Sequence, residues 1–456
     1  MKKEITGKDL IDMGYKQGAW FGKVINYFKT NEVDEENIRE VIESFIPKYK
    51  VVMPHDTPVP YDKFIDCVND EELENLISAE ADMDAVMTSP TVIGGAIMPD
   101  VCSVGRGHIP VGGLAIVDNA IHPGMHSSDI CCSVMITGFG NNKPEDLLDR
   151  VNKFTDFGSG PRKKPGKFSP PEEFMQRMEK NPFFSKKAIA LATSHMATQG
   201  DGNHFAFVGT SKNTGETCLI THHGSRGVGA EVYKLGMACA DKWRKILCPT
   251  LDSTNAYIPY DTQDGKDYWD ALQMVREWTK LNHLSIHNNA KEKFKYTSKL
   301  HFWNEHNFVF KRDNLFFHAK GSTPMLDEFL PDNDTGLRLI PLNMAEPVLI
   351  VSNHPENKLG FAPHGAGRNL SRTKFLAKNL ELSKDIEGLD IRFYFGLPDM
   401  SEYPSAYKNA KQVKEQIVKF KLAKIEDEII PYGCIMAGNN PLSRKYNKEK
   451  DGKNII

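Results

Sequence analysis

The stretch Cys218-Leu-Ile-Thr-His-His-Gly-Ser-Arg-Gly-Val-Gly229 opens on four residues that suit a strand and turns through histidines and glycines. It then runs into 229–247, where apolar side chains recur at helical spacing. Short apolar runs bounded by glycine recur on both sides of it, at 91–98, 111–117, 132–137, 315–317, 348–352 and 391–395. Helical patterns occupy 146–154, 266–294 and 406–420. Strands and helices do not alternate in a βαβ rhythm, so the prediction is an α+β fold: mixed sheets, surrounding helices, and functional residues at strand ends and loops.

The first 85 residues read differently. Acidic starts followed by apolar residues at helical spacing predict helices over 34–45 and 71–86, joined by a proline-containing connector at 54–60. The expected organisation is a mainly helical extension over 1–85, a catalytic domain over 86–438 and a polar tail over 439–456. The glycine-, proline- and lysine-bearing stretch 159–171 reads as an exposed loop.

A chain of 456 residues, 40% of them hydrophobic, is long enough to bury a large core. Its formal net charge of -3 excludes bulk polyanion affinity, so any nucleic acid would bind a local basic patch. No apolar run reaches signal-peptide or membrane-spanning length, which predicts a soluble cytoplasmic protein with no membrane partner. The 8 cysteines are scattered apart from Cys131–Cys132, a pattern suited to ligands or nucleophiles rather than a disulfide scaffold.

Five segments carry metal-capable side chains next to tight turns: Ser127-Ser-Asp-Ile-Cys-Cys132, Gly200-Asp-Gly-Asn-His-Phe205, Thr221-His-His-Gly-Ser-Arg-Gly-Val-Gly229, Glu305-His-Asn-Phe308 and Pro363-His-Gly-Ala-Gly-Arg368. Asp129 and Cys132, three apart, can grip one ion, and a carboxylate beside a thiolate suits a borderline divalent metal. Any one of these residues alone is more often structural; their joint occurrence points to a centre. Gly224–Gly229, with Arg226, reads as an anion-binding turn at a helix start. His364 lies in a flexible loop with Arg368 and Arg372, and spacing alone leaves it as nucleophile, base or ligand. His283 and His287, four apart on one helix face, have zinc-compatible spacing but read as structural, because the second residue of the metalloprotease pattern is absent.

Taken together, these segments resemble the RtcB family of RNA ligases. The resemblance runs over about 93–437 and adds Met98-Pro-Asp-Val101, Val111-Gly-Gly113, Gly202-Asn-His-Phe205 and Lys320-Gly321 to the motifs above. It implies joining of RNA 2′,3′-cyclic phosphate or 3′-phosphate ends to 5′-hydroxyl ends, using GTP and two Mn²⁺ ions. By position, Cys132 would bridge the ions, with Asp129 and His204 completing one site and His222 and His306 the other. His364 would be the nucleophile that carries GMP. Asn203, Phe205, Asn307, Lys320, Gly365, Ala366, Gly367 and Arg368 would contact the nucleotide. The implied partners are RNA ends, tRNA among the candidates, and an activating protein is a further candidate; a monomer is expected. The segment 5–18 is similar to a helical piece of some tRNA-processing nucleotidyltransferases, which implies an RNA-contacting accessory region.

The chain departs from the family where the base is read. Phe207 stands where a glutamate is common and Met436 where a lysine is common; Cys102 replaces a usual histidine. Neither Phe207 nor Met436 offers a base-edge hydrogen bond, so altered nucleotide specificity is expected. The alternative reading is a metal-dependent RNA-end phosphoesterase or cyclic phosphodiesterase that does not ligate.

Overall fold

A computed structural model describes residues 5–442 except 16, 18, 19, 47, 48, 106, 165, 167, 295–297 and 379–385. Most of the expected polar tail, two residues of the expected 159–171 loop and two of the 5–18 segment therefore lie outside the described residues. The chain divides into two compact units: Met1–Met53 with Lys245–Pro249, and Pro54–Arg244 with Thr250–Ile456.

The smaller unit contains α1 (Gly7–Asp12), α2 (Trp20–Thr30) and α3 (Ile38–Ser44). Thr6 and Asp9 form a reciprocal capping box that starts α1. Leu10, Phe21, Val24, Phe28, Ile38 and Ile42 form its core.

The larger unit is mixed α and β, as predicted. Its strands are β1 (Asp62–Lys63), β2 (Val92–Cys102), β3 (Val111–Asp118), β4 (Ala120–Ile121), β5 (Cys132–Gly138), β6 (Phe205–Ser211), β7 (Thr217–His223) and β8 (Ile258–Pro259). They continue as β9 (His301–Arg312), β10 (Leu315–Lys320), β11 (Ser322–Pro324), β12 (Leu337–Pro341), β13 (Val348–Asn353), β14 (Phe361–Pro363), β15 (Asp390–Phe393) and β16 (Ala423–Met436). One sheet runs β1-β2-β3-β10-β9-β5-β7-β6-β16-β13-β12, with β15 pairing alongside β16. Its mostly antiparallel, non-sequential order explains why no βαβ rhythm shows in the sequence.

Helix α4 (Asp70–Met87), capped by Asn69, packs on β2. The long α9 (Gln263–Lys291), capped by Thr262, buries Trp278, His283 and His287. Helix α8 spans Arg226–Leu247. One face of the sheet packs Val134, Ile136, Phe207, Ile220, Ile350 and Cys434 into a common core.

No helix among the described residues is long and apolar enough to cross a membrane.

Candidate functional site

Strands β9, β5, β7 and β6 are consecutive neighbours; Cys132 opens β5, His222 lies near the end of β7, His204 stands one residue before β6, and His306 lies midway along β9. The register opposes Phe205 to His222. Between β5 and β9 it slips: Cys132 faces Asn307 while Ser133 faces Glu305, leaving His306 as the extra residue of a bulge. A bulge turns one side chain out of the strict alternation, which is how His306 joins Cys132. Asp129 arrives from a kinked loop in which Ser127 and Cys131 both have positive φ, at 76° and 57°. Such backbone is uncommon outside glycine and marks a constrained turn.

The result is a tight group. His222 Nε2 lies 3.1 Å from Cys132 Sγ and 3.2 Å from His306 Nε2. His204 Nε2 lies 3.6 Å from the same sulfur and 3.1 Å from Asp129 Oδ2. Two ligand triplets result, Cys132–His222–His306 and Asp129–Cys132–His204, each with its ligand atoms within 4.8 Å of one another. Cys132 belongs to both.

The donor set fits divalent cations. His222 Nδ1–H donates to the Asn203 carbonyl at 3.1 Å, so its Nε2 presents a lone pair to the cluster. Burial lowers His222 to about 3 and His306 well below the ordinary histidine range, so both rings stay neutral and ligand-ready. Burial, with Asp129 beside it, pushes the Cys132 thiol well up. Burial also favours the neutral Asp129, but His204 outweighs it and holds that carboxyl at about 2. A carboxylate, a sulfur and imidazole lone pairs converge here; a borderline divalent metal is the matching partner.

Asp129, Cys132, His222 and His306 line a cavity of about 350 Å³. His364 lines it, its ring 4.8 Å from that of His306. Its Nδ1 is 2.5 Å from Asp100 Oδ2, and the same oxygen accepts the His364 backbone N–H at 3.0 Å. Gly367, at φ 73°, has no room for a Cβ because the Asp100 backbone fills that space. Gly224 likewise lies against the Asp129 carboxylate.

Asn203, Phe205, Asn307, Lys320, Gly365, Ala366, Gly367 and Arg368 all line the same cavity. Lys320 donates to the Ile109 carbonyl, and burial lowers it to about 8. Arg368 donates to Glu402 Oε2 at 2.7 Å and to the Ser401 carbonyl at 2.6 Å. Arg372 pairs with the other oxygen of Glu402 at 2.5 Å.

Glu402 and Tyr407 also line the cavity, and nothing in their sequence context gives them a role; Asp100, which belongs to the Met98–Val101 motif but has no role assigned to it there, lies against His364. One expectation changes. Helix α8 begins at Arg226, so Gly227–Gly229 belong to its first turn rather than preceding it. Arg226 donates through Nε to the Thr198 hydroxyl and through Nη2 to the Gly158 carbonyl. His283 is also fully engaged, through Thr221 and Ser133, and His287 through Thr221 and Thr137.

A family model described as tRNA-splicing ligase RtcB matches residues 162–437, more than half of the chain. This chain belongs to the RtcB family. Among RtcB relatives, the tRNA-splicing ligase RtcB of Aeropyrum pernix is 24% identical over 294 residues, 55% of this chain and 61% of that protein. The protein of the same name from Pyrococcus horikoshii is 24% identical over 55% of this chain and 34% of its own length. RNA-splicing ligase RtcB homolog 1 of Entamoeba dispar is 23% identical over 53% of both chains. The chain thus spans less than two thirds of the curated RtcB proteins it matches. Asp129 and Cys132 precede the matched span, so their place in the centre rests on geometry.

Proposed function

We propose that this protein seals RNA 3′-phosphate or 2′,3′-cyclic phosphate ends to 5′-hydroxyl ends by passing a nucleotide through His364, with two Mn²⁺ ions at the shared-cysteine centre and tRNA among its substrates. The observation that carries this reading is the placing of His364 beside two ligand triplets that share Cys132.

The chain's own groups support each step. Asp100 takes the Nδ1–H of His364, so Nε2 keeps the lone pair that attacks the α-phosphorus. The Nε2–P bond forms as the bond to pyrophosphate breaks. Where the RNA end is a 2′,3′-cyclic phosphate, water first adds to phosphorus and the P–O2′ bond breaks, leaving a 3′-phosphate and a 2′-hydroxyl. The RNA 3′-phosphate then displaces His364, and the 5′-hydroxyl displaces the nucleoside monophosphate, leaving a phosphodiester. Lys320, Arg368 and Arg372 supply positive charge to phosphate oxygens. Metal ions held by Asp129, Cys132, His204, His222 and His306 would supply the further charge neutralisation that phosphoryl transfer needs.

The test incubates the full chain with a 2′,3′-cyclic-phosphate RNA, a 5′-hydroxyl RNA, Mn²⁺ and each nucleoside triphosphate in turn. Joined product, with label from the α-phosphate retained on the protein and lost in His364→Ala, is the expected result. Opened ends without joining and without labelled protein would assign a phosphoesterase instead.

A further inference from the structure

We propose that Lys408 is a positioning residue for the nucleophile: it joins the Asp100 segment to the His364 loop and supplies the buried charge that keeps Asp100 a carboxylate. This rests on the reading of His364 as nucleotidyl acceptor, and it adds the residue that holds the support of His364 in place.

Asp100 can act on His364 only if two segments far apart in the chain keep a fixed distance. Strand pairing does not fix either of them there. The register of β2 on β3 breaks between Ile97 and Cys102, which leaves Pro99 and Asp100 outside that ladder. His364 follows the last residue of β14 and opens a loop. Lys408 holds both. Its backbone N–H donates to the Gly367 carbonyl at 2.9 Å, and its Nζ donates to the Pro99 carbonyl at 3.0 Å. The chain just before Lys408 grips the loop a second time, where Arg368 donates to the Ser401 carbonyl. Gly367 closes directly on the Asp100 backbone, so the loop and Asp100 have no slack between them.

The ammonium matters as well as the tether. Lys408 is 5% exposed, and burying an amine costs more than burying an apolar side chain of that length. That cost has a counterpart at Asp100. The Asp100 side chain is fully buried; its Oδ2 serves His364, and its Oδ1 has no hydrogen-bond donor among the described residues. A buried carboxyl of this kind takes up a proton unless a cation faces it. The other cations on this side are engaged elsewhere, Arg368 with Glu402 and Lys320 with the Ile109 carbonyl. Burial pulls the Lys408 ammonium below the ordinary lysine range, and Asp100 is the foremost carboxylate opposing that pull.

The consequence falls on the His364 ring. An ionised Asp100 can only accept, so Nδ1 carries the proton and Nε2 stays bare. A protonated Asp100 could donate to Nδ1, which would leave the ring proton on Nε2, where attack has to begin. As the Nε2–P bond forms, the ring gains positive charge, Nδ1 keeps its proton, and the carboxylate faces it. Lys408 is not a lining residue of the cavity and acts on the reaction through Asp100.

The test compares the full native chain, with Mn²⁺, against Lys408→Gln, Asp100→Asn and the double variant. Glutamine keeps a hydrogen-bond donor and removes the charge; Lys408→Met, close to lysine in length, is a second variant and should give the same losses. Urea denaturation establishes that each is folded. Single-turnover label transfer from α-labelled triphosphate should fall about tenfold or more in Lys408→Gln, since one pKa unit at Asp100 is a factor of about ten. Triphosphate affinity, by calorimetry, should stay within about threefold of native. The double variant should label no more slowly than Asp100→Asn alone, because a residue that acts through Asp100 then has nothing left to act on. A multiplied loss in the double variant, or unchanged labelling in Lys408→Gln, overturns the assignment. Imidazole nitrogen NMR, with His364→Ala to assign the resonance, reads the tautomer without turnover. It should show Nδ1–H in the native chain and a growing share of Nε2–H in Lys408→Gln; the same tautomer in both overturns the assignment. That shift in a native chain that takes no label upholds the role of Lys408 and removes the nucleotidyl reading.

Discussion

Asp100 Oδ2 accepts both the backbone N–H of His364 and, at 2.5 Å, its Nδ1–H, so a single oxygen fixes the loop, the ring orientation and the tautomer. Asp100→Asn can donate to Nδ1 and so favours the wrong tautomer, with Nε2 protonated. Label transfer to the protein should fall by about 10²-fold or more, as tautomer errors beside a catalytic histidine do. Nucleotide affinity should change little. Unaltered single-turnover labelling in Asp100→Asn would remove Asp100 from the mechanism.

Because Cys132 belongs to both triplets, its loss should abolish both ions, whereas loss of His306 should spare the Asp129–Cys132–His204 site. Calorimetry with Mn²⁺ should therefore give a stoichiometry of two for the native chain, one for His306→Ala and none for Cys132→Ala. Equal loss in the two variants would contradict a shared cysteine.

Nucleotide affinity should also depend on Lys320. Burial lowers this group to about 8 in the free cavity, and a bound polyphosphate would favour its charged form. Above about pH 8 binding must then take up a proton, and affinity should weaken by up to about tenfold per pH unit. Below that pH the ammonium is already present and the Lys320 contribution is flat. Lys320→Met should bind more weakly at neutral pH and lose the alkaline slope. A slope retained in Lys320→Met would assign the proton to another group.

His283 joins α9 to two strands that carry ligands, through Thr221 of β7 at 2.6 Å and Ser133 of β5 at 3.0 Å. His283→Ala leaves a cavity and strips a partner from each hydroxyl, and should cost about 2–4 kcal/mol of unfolding free energy. Urea denaturation measures this. A loss below about 0.5 kcal/mol would show the network to be dispensable.

Much of the fold and the site is legible in the sequence, and the misses have physical causes. Strands β5 and β7 are readable because their apolar residues are continuous and glycine-bounded. Strand β9 is not, because buried Asn304 and Glu305 break its apolar pattern; they are matched by Leu339 and Arg276, which only the fold brings near. Strand β16 hides behind Glu426-Asp-Glu428, Pro431 and Gly433. The segments that form the two triplets stand out through histidines and glycines at tight turns. Glu402 does not, and Asp100 is marked only as part of the Met98–Val101 motif without a role, since an acidic residue gains its meaning from His364 or from Arg368 and Arg372 hundreds or tens of residues away.

The contact of Gly224 with the Asp129 carboxylate has a consequence for how this protein can change over generations. The aspartate occupies the volume that any side chain at Gly224 would need, so Gly224 cannot vary while Asp129 keeps this position. A lineage that abandons the aspartate frees the glycine to vary, and one that fills the glycine must already have given up the aspartate. The order of change is therefore fixed: the aspartate leaves first and can return only after the glycine has.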